Sequence, residues 1–280
     1  DDHKRYMGKA RQPIPGDGLD HPMLWVSERG KGRIFVTALG HDIGAVQTDL
    51  FTATFGNGVY RSANNGDMWT SAGSGLTNNY ITALASRGSK LFAAATTDPQ
   101  TNNPGGIFVS TNNGAVWTAS NTGLTNRKVN TLVALETQLF AGTEGGGVFV
   151  SDDDGATWQA RNVGLSGGAL FARAFVAQGN AIFLGTDGGG IYRSTDGGAS
   201  WTAVNNQLPP TLNVYAFAVN GKRLYAGSIY GVFVSDDQGA SWKQINAGLL
   251  DVFVTGLAVS GDKLVAGTLR GGVFLSTIPQ

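Results

Sequence analysis

The chain contains no cysteine, which excludes disulfides, thiolate nucleophiles and cysteine-ligated zinc and leaves the compartment open. A secreted or periplasmic location is the favoured expectation. Charge is sparse: Asp, Glu, Lys and Arg make up 14% of the residues, and 20 basic residues balance 20 acidic ones. With no basic run able to track a phosphate backbone, nucleic acid is excluded as a partner. The three histidines, His3, His21 and His41, all lie near the start, so the remainder holds neither a Ser-His-Asp triad nor a histidine metal site. No run of 18 apolar residues exists, so no membrane insertion is expected. With no leader ahead of Asp1, the expectation is a soluble product processed at its start. Helical periodicity is missing as well, and the Gly-rich turns precede strands, so a phosphate loop is not expected and no cofactor is implied.

What the chain has in excess is glycine, 42 residues in 280, about twice the usual share for a globular domain. The glycines recur in register. Gly58-Val59-Tyr60-Arg61-Ser62 is repeated at Gly106, Gly147, Gly190, Gly231 and Gly272, with spacings of 48, 41, 43, 41 and 41 residues. Each unit reads as four short strands. In the third these are Val129–Leu135, Gln138–Thr143, Gly147–Ser151 and residues 157–161, with Gly, Asn and Asp at the turns. A four-stranded unit of about 41 residues is the signature of a β-propeller blade. The expectation is an all-β, six-bladed propeller.

Five units continue as Ser-x-Asp/Asn-x-Gly-x-x-Trp, carried by Asn64 and Trp69, Asn112 and Trp117, Asp153 and Trp158, Asp196 and Trp201, and Asp237 and Trp242. In this pattern the chain resembles the Asp-box (BNR-repeat) propellers, which include sialidases, sortilin-type receptor domains and the photosystem II assembly factor. A short Asp or Asn accepts from turn amides, Gly supplies a positive φ, and Trp fills the wedge between blades. Asp152-Asp153-Asp154-Gly155 has the look of a calcium loop, but the ligand spacing of such a loop is not there. A structural turn is the preferred reading, and no metal site is assigned. The resemblance places these boxes at the blade periphery.

The sixth unit ends without its Trp, while Trp25 stands 44 residues ahead of Trp69. Residues 23–28 are therefore expected to supply the outer strand of the last blade, closing one ring over 21–280 behind an arm at 1–20. Residues 20–42, with Gly30-Lys31-Gly32-Arg33 and Leu39-Gly40-His41, resemble the last strand region of ThuA-like (trehalose-utilisation) domains. The rest of such a domain is absent, so the resemblance implies ancestry by fusion or a trimmed precursor, with His41 a turn residue.

Function is sought where the repeat is broken. The turn between second and third strands carries Phe55, Asp98 within an insertion at 98–104, Glu144, Asp187, Tyr230 and Arg270. The resemblance places these turns on the ligand face. Asp98, Glu144 and Asp187 on adjacent blades could hold a cation, an amine or sugar hydroxyls, with Tyr230 as a stacking platform and Arg270 for a carboxylate. The joining loops add Asn78, Asn79, Tyr80, Arg127, Lys128, Pro209, Pro210, Asn213, Tyr215 and Asp251. Sialidase chemistry, as the resemblance would imply it, needs an arginine triad and a Tyr–Glu pair. Here Arg33-Ile34 is followed by Phe35, and the only Glu residues are Glu28, Glu136 and Glu144. A non-catalytic recognition or assembly scaffold, with carbohydrate or another protein as partner, ranks first. A glycoside hydrolase or sialidase-like enzyme is the alternative, and a purely structural, self-associating propeller the third reading.

Overall fold

The computed structural model describes residues 49–278 apart from Asn65 and Glu136, together with the backbone strands Trp25–Arg29, Gly32–Val36, Asp42–Ile43 and Ala45–Val46. The arm at 1–20, His41, Glu136 and the side chains of Trp25 and Glu28 lie outside the described residues.

The repeat becomes a row of antiparallel sheets. Five are four-stranded, and in each the chain runs up and down from an inner strand to an outer one. In the third repeat the strands are Val129–Leu135, Gln138–Thr143, Gly147–Ser151 and Gln159–Ala160. The first three have the expected bounds, whereas the outer strand is only two residues long. Short outer strands limit the open edge that each sheet presents. The last repeat forms a three-stranded sheet from Val254–Ser260, Lys263–Thr268 and Gly272–Thr277.

The core is serial, because strand side chains alternate between two faces and each inner sheet of the row is covered on both. In Lys90–Ala95, Leu91, Ala93 and Ala95 join Phe51, Val59 and Trp117 on one side. Phe92 and Ala94 face the other way, joining Leu132, Leu139, Phe149 and Trp158. The same arrangement continues between each later pair of sheets. Among the described residues no such cluster joins the last sheet to the first.

The N-terminal strand is present at Trp25–Arg29, but its described partner is Gly32–Val36, with Trp25 opposite Val36 and Arg29 opposite Gly32. The expected pairing with 272–277 is not among the described pairings. A two-residue connection costs far less loop entropy than joining strands some 245 residues apart.

Candidate functional site

Two sets of repeated polar contacts build the sheet ends, and they do different things. At the periphery, Ser151 Oγ donates to Asp153 Oδ1 (2.8 Å) and accepts from the amide of Gly155 (2.8 Å). Asp153 also accepts from the amide and hydroxyl of Thr157 (2.8 and 2.7 Å). Asp196 with Ser200 and Asp237 with Ser241 repeat this geometry. The hydroxyl bonds, with the amides second, hold all three carboxyls at about 2. In the first two boxes Asn64 and Asn112 replace Asp, and Met68 and Val116 replace the hydroxyl residue; the bonds from the amides of Met68 and Val116 and from the hydroxyls of Ser62 and Ser110 remain (2.9 Å each). An Asn side chain offers one acceptor oxygen where Asp offers two, so it needs no second donor from the turn. The neighbouring Asp152 pairs with Arg161 (2.5 Å) and Asp154 with Arg87 (3.1 Å) and Lys90 (3.4 Å). The oxygens a calcium loop would need are thus engaged in holding the turn.

At the opposite end of the second strands, each turn is tied to the residue leading into an inner strand. Thr96, Glu144, Asp187, Ile229 and Leu269 donate their amides to the carbonyls of Tyr80, Lys128, Phe171, Asn213 and Phe253, at 3.1, 2.9, 2.8, 3.4 and 2.9 Å. Bridges Phe55–Tyr80, Glu144–Phe171 and Asp187–Asn213 continue the same pairing from one sheet to the next. This corrects the equivalences read from the sequence: the counterparts of Phe55, Glu144 and Asp187 are Thr96, Ile229 and Leu269. Asp98, Tyr230 and Arg270 sit further along their turns, because the second strands end at Ala95, Ser228 and Thr268.

The candidate side chains are not equally available. Asp98 is consumed by its own loop, accepting from the Thr101 hydroxyl and from the amides of Gln100 (2.8 Å) and Thr101 (3.3 Å), which lowers its pKa. Asp187 pairs with Arg173 at 2.7 Å. Asn78 is buried, donating to the carbonyls of Thr96 (2.9 Å) and Asn103 (3.2 Å), and Asp251 accepts from the amides of Phe253, Arg270 and Gly271 at 3.0, 2.8 and 3.0 Å. These bonds, that of Phe253 first, hold the Asp251 carboxyl below its ordinary value. Both residues pin a joining loop to its turn. No hydrogen bond or ion pair joins any two of Asp98, Glu144, Asp187, Tyr230 and Arg270, and among the described residues no three acidic or histidine side chains are grouped to hold a metal.

This end exposes aromatic rings, beside the aliphatic Leu250, Val252 and Leu269. Phe55 is 54% exposed and meets Tyr80 edge-on, with centroids 4.9 Å apart at 83°. Phe171 is 38% exposed, Tyr230 is 42% exposed, and Tyr215 lies against Phe253 at 5.3 Å. Phe171 was not singled out in the sequence. A signal for it was available: the residues directly before the inner strands are Tyr80, Lys128, Phe171, Asn213 and Phe253, three of them aromatic.

Serial four-stranded sheets wedged side by side, with turns of one sheet bonded to the lead-in of the next, have the organisation of propeller blades. Residues 116–253 match the family model of the DUF6242 beta propeller domain. The chain is a β-propeller domain. Among solved structures, this propeller is similar to the extracellular domain of the hybrid two component system BT4673 from B. thetaiotaomicron: 12% identity, 92% of this chain, 38% of that one, TM-score 0.69. An ancestral GH74 enzyme matches with 20% identity over 92% of this chain and 38% of its own, TM-score 0.68. The GH74 xyloglucanase from Xanthomonas campestris matches with 17% identity over 94% and 44%, TM-score 0.63. The propeller thus spans less than half the length of each, and what they share with it is the fold. No curated protein matches the sequence.

Proposed function

We propose that this is a non-catalytic recognition module of the Asp-box propeller type, working outside the cytoplasm and binding carbohydrate across its turn face. The observation that carries the reading is the set of solvent-exposed rings there: Phe55 and Phe171, whose backbones bridge neighbouring turns, and Tyr230, whose amide donates to Ser228 Oγ. Rings on ordered backbone lose little entropy on binding, and their flat apolar faces match the C–H faces of sugars while Glu144, bridged to Phe171, accepts from hydroxyls. The presence of GH74 enzymes and an extracellular sensor-type domain among the structural neighbours is in keeping with this choice of ligand. The same reading closes the ring through the N-terminal strand.

A glycoside hydrolase is the second reading. It needs two carboxyl groups about 5 to 10 Å apart, one of them with a raised pKa. With Asp98 bound into its own loop and Asp187 paired to Arg173, Glu144 is, among the described residues, the one of these three carboxylates without a bonded partner, which is why binding ranks above turnover. Titration with soluble plant and bacterial polysaccharides, alongside chromogenic glycosides, tests both. Binding that falls at least tenfold in Phe171→Ala and Tyr230→Ala at unchanged Tm supports recognition. Glycoside turnover abolished by Glu144→Gln would replace it with the enzyme, and binding indifferent to all the ring substitutions would remove the turn face as the site.

A further inference from the structure

Five inner strands share an irregularity at their second residue. The pairing register shifts between Ile81 and Ala83, Val129 and Thr131, Ala172 and Ala174, Val214 and Ala216, and Val254 and Gly256. Thr82, Asn130, Arg173, Tyr215 and Thr255 are therefore bulge residues, each half-buried behind a buried first residue. A bulge re-aims a side chain out of the alternation of its strand. The first two copies show what the position does for the fold. Thr82 Oγ1 donates to the carbonyl of Val129 (2.7 Å) and Asn130 Nδ2 to that of Ala172 (3.2 Å). Each acceptor is the first residue of the next inner strand, so the bulge residue ties one inner strand to the next.

Arg173 and Tyr215 break this pattern. Their equivalent acceptors are the carbonyls of Val214 and Val254, the first residues of the following inner strands, and neither side chain bonds to them. Instead Arg173 Nε and Nη2 both donate to Asp187 Oδ2 (3.2 and 2.7 Å). The Tyr215 hydroxyl accepts from Asn213 Nδ2 (3.3 Å), and its ring lies against Phe253. The two departures are adjacent. A backbone bridge joins Asp187 to Asn213, and the Asp187 amide donates to the carbonyl of Phe171 (2.8 Å), the exposed ring two residues ahead of Arg173.

What these side chains leave unused is all of one kind. Asp187 takes the Nε and Nη2 edge of the Arg173 fork, so Nη1 and the second N–H of Nη2, two parallel donors, have no acceptor among the described residues. The Tyr215 oxygen accepts, and its O–H remains to donate. Parallel guanidinium donors match the two oxygens of a carboxylate in a way that no single hydroxyl does. We infer that Arg173 and Tyr215 form a subsite for the carboxylate of a uronic acid, with the C–H face of that sugar on Phe171, and that the bound carbohydrate is an acidic polysaccharide. This rests on the carbohydrate reading of the turn face and adds the class of sugar. The Arg173–Asp187 pair is neutral as a whole, so selection comes from the geometry of the free edge more than from net charge. Glu144 belongs to the turn of the preceding sheet and is left for the hydroxyls.

Trigalacturonate and its fully methyl-esterified form present the same sugars and differ in the carboxylate alone. Calorimetric titration of the full chain with both, at one salt concentration, should show the acid form binding roughly tenfold tighter. Arg173→Gln should abolish that preference while affinity for the ester stays within about twofold, which also shows that the variant is folded. Arg173→Lys keeps the charge without the fork and should restore only part of the preference, and Tyr215→Phe should reduce it by about threefold. Arg127→Gln/Lys128→Gln, on the exposed joining loop one blade away, should leave it in place. Equal binding of the two forms, a preference that survives Arg173→Gln, or one lost with Arg127 and Lys128 overturns the subsite. Neutral polysaccharide binding that depends on Phe171 and Tyr230 without any preference for the acid form overturns the subsite and leaves the turn-face reading standing. Failure to bind either form or any neutral glycan removes both.

Discussion

The indole N–H of Trp158 donates to the carbonyl of Ser120 at 2.9 Å, and the Trp158 amide donates to Thr122 at 2.8 Å, so a single residue binds its sheet to the one before it at two points. The ring is buried in the wedge between them. Trp158→Phe keeps most of the apolar contact and loses one hydrogen bond, a cost of about 1 kcal/mol. Trp158→Ala adds a cavity and should cost about 3–5 kcal/mol. Urea denaturation followed by circular dichroism distinguishes the two, and equal effects would mean that the wedge collapses around the deletion.

The glycine under that contact has a second constraint. Gly123 has φ +81° and a β-carbon there would overlap Trp158 O, while Gly88 has φ +59° with open space above it. Gly88→Ala should therefore cost only the left-handed conformation, about 1–2 kcal/mol. Gly123→Ala should cost clearly more, because the blade contact itself must shift. Similar melting temperatures for the two variants would contradict this.

Asp153, Asp196 and Asp237 are held at about 2 by the hydroxyls of Thr157, Ser200 and Ser241 and then by the amides. A carboxyl whose pKa is depressed by folding contributes fully above its ordinary value near 3.8 and loses that contribution as pH falls through about 2. Stability should thus decline between pH 4 and pH 2. A triple Asp→Asn variant, which copies the boxes built on Asn64 and Asn112, should show a shallower decline in urea midpoint over that range. An identical slope would place the acid sensitivity elsewhere.

The Arg173–Asp187 pair spans 2.7 Å with both side chains partly exposed. Solvent screening limits such pairs to about 0–1 kcal/mol. Asp187→Asn should shift Tm by no more than a few degrees and leave carbohydrate binding within twofold. A tenfold loss of binding would restore Asp187 to the ligand site.

Much of this architecture was legible because it repeats. Three strand bounds of the third unit, and the positive φ of the box glycines Gly66, Gly114, Gly155, Gly198 and Gly239, follow from spacing and turn chemistry that are local in the chain. The site was legible only in outline. Counting along a turn made Tyr230 and Arg270 the equivalents of Glu144 in later repeats, but the pairing of one turn with the next sheet depends on where each strand ends, and the second strands end at Thr143, Ser228 and Thr268. The availability of Asp98 and Asp187 was likewise hidden, since Thr101 and Arg173 become their partners only once the loop and the sheet are formed.

The sequence alone determined the all-β class, the blade period, the absence of cysteine, and the excess of glycine at turns, because each depends on residue type and short-range spacing. Tertiary structure decided which carboxylates are free, which rings face solvent, and that each tryptophan is a bond to the preceding blade and not merely core filling. Those properties arise between residues about 40 positions apart, where no local propensity acts and where sheets packed face to face select which polar groups find a partner.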